Sequence, residues 1–141
     1  MKRFRSQKGA ALIEAAVTIP IVLLIAVGIF EFGRAYQTWQ VLTNAAREGA
    51  RLAVISGSTD ADVTTTVRNY MQAGQLDNYA TATVTITRNV ALTGTDTGSQ
   101  IQINYPFQFM VLQPVIRLID SASTTGTPIT MQASALMRNE S

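Results

Sequence analysis

In 141 residues the chain has no cysteine and no histidine, which removes disulfides, thiolate metal sites, the usual general base and the commonest transition-metal ligand. The net charge of +2 hides an asymmetry: Lys2, Arg3, Arg5 and Lys8 precede a long apolar run, and the other seven basic residues stand against 9 acids. Most enzyme chemistry is disfavoured, and so is a nucleic-acid surface, because the later arginines are scattered among acids.

The leader, residues 1–9, is basic. Residues 10–32 are apolar but for Glu14, Thr18 and Glu31, and about 21 helical residues at about 1.5 Å each cross the hydrocarbon of a bilayer. Ala26-Val27-Gly28 imitates the small-x-small site of a cleavable secretory signal, but it lies inside the run. The four leader charges put the N-terminus in the cytoplasm and the rest of the chain outside. Phe30, Phe32, Tyr36 and Trp39 then form an aromatic belt where the helix leaves the lipid.

Helical patterning continues to about Ile55 without a further proline, so residues 33–55 read as the extracytoplasmic half of the same helix. Phe32, Tyr36, Trp39 and Leu42 make one apolar stripe at spacings of four and three. Ala45, Gly49 and Ala53 recur every fourth residue on a neighbouring face, where small side chains let another element come close. Pro20 lacks the N–H that would bond Ala16 and should kink or loosen the span. Glu31 with Arg34, and Glu48 with Arg51, have the spacing of exposed helical ion pairs.

Residues 56–141 read as a small α+β domain. Ser56 to Asp62 is a break, with Gly57 to end the long helix and Thr59 or Asp60 to cap a short one. The short helix has Val63, Val67, Tyr70 and Met71 on its apolar face and stops at Gly74. The period then changes to two. Val84 and Ile86 alternate with threonines; Ile101, Ile103, Tyr105, Phe107 and Phe109 share a face; so do Ile129, Met131, Ala133, Ala135 and Met137. Three antiparallel strands are expected, with the buried face covered by the outer half of the long helix. Pro106 points to an edge or a bulge, and the segment from Gln113 begins with a helical turn.

Asp96-Thr97-Gly98 spells the triplet of aspartic peptidases, but its glycine-rich surroundings between two strands favour a hairpin. Asp60 and Asp62 lack the other ligands of a calcium loop, and Gly28 and Gly33 do not follow a strand as a phosphate loop requires. We therefore expect no catalytic residue, no metal, no cofactor and no small-molecule substrate.

One carboxylate remains. Glu14 stands about one turn from the leader, and it either returns to the headgroups or pairs with Lys8, or it serves a neighbour. Lys8-Gly9-Ala10 followed by Glu14 at the head of an apolar helix resembles the class III signal of type IV pilins. "GAALIEAAVTIPIVLLIAVGIFEFGRAYQTWQVLTNAAREGAR", Gly9 to Arg51, is similar to the TadE-like family of the tight-adherence (Tad, Flp-type) pilus system, although Ala15 stands where members commonly carry a bulky apolar residue. The resemblance implies a minor pilin or pseudopilin that a prepilin peptidase cuts between Gly9 and Ala10, in a bacterial inner membrane, with neighbouring pilin subunits and the lipid bilayer as partners. Glu14 would then meet a neighbour's new α-amino group and set register. The other reading is an unprocessed single-pass scaffold of an envelope complex, in which Glu14 is only interfacial.

Overall fold

The structure is a computed structural model that describes residues 4–119 and 128–139. Helix α1, Phe4–Ala53, has 50 residues, and at about 1.5 Å each it is about 75 Å long. After it come α2 (Asp60–Ala73), β1 (Thr83–Ala91), β2 (Thr97–Phe107), α3 (Leu112–Ile119) and β3 (Ile129–Arg138). The class is α+β: one long helix, a three-stranded antiparallel sheet in the order β1-β2-β3, and two short helices. Helix α1 starts earlier than its apolar pattern, because no proline interrupts Phe4 to Lys8 and adding residues to an existing helix is cheap. It also runs unbroken through Pro20.

Leu42, Ala45, Ala46, Gly49, Ala50 and Ala53 of α1 are buried against α2, β2 and β3. Of the stripe formed by Phe32, Tyr36, Trp39 and Leu42, only Leu42 joins this face: it is buried, while Phe32, Tyr36 and Trp39 are 80%, 61% and 47% exposed. The reason is steric. Backbone-close packing of two helices and a sheet needs alanine and glycine, and three large rings cannot enter it.

A capping box starts α2. Thr59 Oγ1 accepts from Asp62 N–H at 3.2 Å and Asp62 Oδ2 accepts from Thr59 N–H at 3.0 Å, so two orphan donors are satisfied. Val63, Val67 and Met71 face the core, whereas Tyr70, expected beside them, is exposed. Gly74 closes the helix at φ −77°, so no left-handed turn demands glycine there. Space does: a Cβ would lie 2.5 Å from Val41 Cγ1.

In the sheet, β2 is central and buries Ile101, Ile103, Tyr105 and Phe107, while Gln100, Gln102 and Asn104 alternate on the outer face. Pro106 lies within this central strand, paired with Thr130. It is tolerated because β1 stops at Thr83 opposite Asn104, so β2 has a neighbour on one side only beyond that point. The bulge is instead in β1, between Thr87 and Val90, where Asn89 takes φ 56°. Beside it Arg88 donates to Ala53 O at 2.7 Å, Ser58 O at 3.0 Å and Asp60 Oδ1 at 2.7 Å. A cation thus closes the C-terminal end of α1, complements its dipole, and ties the start of α2 to the sheet.

Candidate functional site along the long helix

Between Gly9 and Phe30, α1 has no buried residue; nothing of the described fold covers it. Its length and composition suit a membrane span. Gly9 and Ala10 lie inside the helix with no neighbour packed on them, and a Cβ at Gly9 would meet nothing within 4 Å. Glu14 is exposed, and among the described residues it makes no hydrogen bond or ion pair. Lys2 and Arg3 lie outside the described residues, and for Arg5 and Lys8 only the helical backbone is described. Pro20 and its neighbours are exposed around the middle of the bare stretch.

The bare stretch ends at Glu31, which is only 3% exposed. Its Oε1 accepts from Val111 N–H at 2.6 Å and from Leu112 N–H at 3.3 Å, the first donors of α3. Its Oε2 accepts from Arg34 at 3.1 Å. Arg34 in turn reaches Gln108 O at 3.4 Å, and its guanidinium lies 5.3 Å from the centroid of the Phe107 ring. The exposed ion pair expected from the spacing is therefore a buried junction. A carboxylate at a helix N-terminus complements its dipole, and Pro114 within the first turn has no N–H to satisfy. The signal in the sequence was period: Glu31, Thr38 and Ala45 are seven apart and all three are buried on one face. Charge drew attention to a salt bridge instead.

Farther along, Ala45, Gly49 and Ala53 lie against the domain. At Gly49 a Cβ would be 2.5 Å from Val67 Cγ2 and 3.5 Å from Ile101 Cγ2, so α1, α2 and β2 converge there. Arg51 grips Glu48 through two hydrogen bonds, of 2.9 and 3.2 Å. That grip holds the Glu48 carboxyl below its ordinary range despite partial burial. Asp96 ends the β1–β2 turn, where Leu92 N–H bonds its carbonyl at 2.9 Å and Arg138 pairs with its carboxylate at 3.2 Å. A cleft of about 290 Å³ between α1, the residues after α2 and the end of β2 is lined by Arg34, Asp77, Asn78 and Tyr105. Burial pushes the Tyr105 hydroxyl pKa up. Among the described residues no group of three acids could hold a metal ion.

The arrangement is thus a bare apolar helix with one carboxylate that has no partner among the described residues, joined by a buried carboxylate to a small domain. Residues 9–51 match the model of a family described as TadE-like protein. Over those residues the long helix is similar to the TadE-like family. The matched bounds are those of the resemblance read from Gly9 to Arg51. No curated protein and no solved structure matches the chain. The TadE-like segment contains the bare half of α1, Glu31 with Arg34, and the packing face as far as Gly49 and Ala50; α2, α3 and the sheet lie outside it.

Proposed function

We propose that the chain is a minor pilin or pseudopilin that a prepilin peptidase cuts between Gly9 and Ala10, and that it acts in assembly of a Flp-type pilus for surface adhesion. The observation that carries this reading is that the TadE-like match begins at Gly9, at the head of a helix half that its own domain leaves uncovered, Glu14 included. Cutting there creates an α-amino group, cationic at neutral pH, one helical turn from Glu14. In a low-dielectric layer of packed helices a carboxylate needs a cation, and the new terminus of a neighbouring subunit supplies one. The role of the chain is assembly, not catalysis. The positive leader places the N-terminus in the cytoplasm of a bacterial inner membrane and the sheet domain outside.

The test is the mature N-terminus of membrane-extracted protein from cells with their own prepilin peptidase, read by intact mass and terminal peptide sequencing. A chain beginning at Ala10 supports the pilin. A chain beginning at Met1 favours the unprocessed scaffold and leaves Glu14 an interfacial side chain.

A further inference from the structure

We infer that α3, with Met110 before it, lies on the outer surface of the bilayer that α1 crosses, as an interfacial helix whose partner is lipid. The inference rests on the membrane-spanning reading of α1. Glu31 is the first charged residue after the charge-free run Ala15 to Phe30, so it marks the depth at which α1 leaves the hydrocarbon. Val111 N–H is 2.6 Å from that carboxylate, and the start of α3 is therefore held at the same depth. An eight-residue helix is about 12 Å long, and the headgroup region is about 5–7.5 Å deep on each side, so a helix that starts at this depth stays in that region where it runs along the surface.

The residues at this depth are apolar and open. Met110 is 56% exposed and Val115 43%. The sequence LQPVIRLI has apolar residues at 112, 115, 116 and 119, the spacing of one helical face, with Leu118 at its margin, and it holds one arginine and no acid. Short amphipathic helices of this composition settle at the boundary between headgroups and acyl chains. Phe30 and Phe32, also exposed, sit on α1 at the same level. Glu31 then has a further purpose: the N–H groups of α3 and the Arg34 guanidinium satisfy a carboxylate at the edge of a low-dielectric layer, where it would otherwise be costly.

The absence of cysteine makes the test direct. Val115→Cys in the full chain is labelled with a nitrobenzoxadiazole dye and reconstituted in phosphatidylethanolamine–phosphatidylglycerol vesicles with iodide on both sides. Val22→Cys serves as the reference for the span and Ser56→Cys for water. The expected result is that the Val115 dye is quenched by lipids carrying a nitroxide near the headgroup and is poorly quenched by iodide. Met110→Cys should behave alike. Iodide quenching at Val115 equal to that at Ser56, with Val22 still lipid-shielded, would overturn the inference and leave the span standing. Shielding from iodide and lipid nitroxide together would assign α3 to a protein neighbour and overturn it as well. Iodide reaching Val22 would overturn the span itself, and the inference with it.

Discussion

Two side chains of α1 are held by geometry rather than by type. Glu31 closes a junction of two backbone donors and one guanidinium, and Glu31→Ala leaves the two N–H groups without their acceptor and Arg34 with Gln108 O alone. We expect a loss of about 2 kcal/mol in the thermal unfolding of detergent-solubilised protein, and faster amide exchange at residues 111–119 than in the sheet. Unchanged exchange at 111–119 would contradict the junction. At Gly49, alanine should gain about 1 kcal/mol in helix propensity. Its Cβ would meet Val67 Cγ2 at 2.5 Å, and a β-branched side chain on a helix has little freedom to turn away. Overpacking costs about 1–3 kcal/mol, so Gly49→Ala should be neutral to destabilising in spite of the propensity. In a double-mutant cycle it should do less harm in a Val67→Ala background; additive effects would show that the two residues do not compete for space.

Helix α2 owes its start to the reciprocal bonds of Thr59 and Asp62, and these make it sensitive to acid. Hydrogen bonds from the Thr59 hydroxyl and then the Thr59 N–H hold Asp62 below its ordinary pKa. A carboxyl depressed in the folded state contributes stability above its unfolded value of about 3.9, and that contribution is lost as pH falls through the folded value. The first turn of α2 should therefore open in acid before its last turn, visible as early loss of amide protection near Val63. Thr59→Ala should cost about 1 kcal/mol at neutral pH and weaken this pH dependence, since it removes the hydroxyl but keeps the residue 59 N–H bond to Asp62. The cap, the helix and all three strands were legible in the sequence, because Thr59, the Val63–Val67–Met71 spacing and the period-two runs are local signals. Pro106 pointed to an edge or a bulge, and β2 is an edge at that point; that the edge falls within the central strand was not legible. Its place depends on where β1 ends, which no local pattern encodes. The same holds for Arg88, an arginine in an alternating strand until Ala53 O, Ser58 O and Asp60 are brought to it.

In the whole molecule, α1 has two tasks, divided at Glu31. The outer half is the spine of a small core, and the inner half has no partner within the described chain. Glu14 lies in the uncovered half and on the proposed function serves assembly, so Glu14→Ala should be expressed and folded like the parent, with the same thermal unfolding of the domain. It should nonetheless be missing from pilus material sheared from cells; normal recovery there would count against the role given to Glu14.

Composition and period by themselves determined the apolar span, the continuous helix, the order of helices and strands, and the small-residue face, since each depends on residues close in the chain. Tertiary structure decided which stripe of α1 is buried, why Gly49 and Gly74 cannot carry a side chain without displacing a valine, and that Glu31 meets residues 80 and 81 positions away. Those are contacts between distant segments. Burial and shared hydrogen bonds select them only once the sheet has docked on the helix.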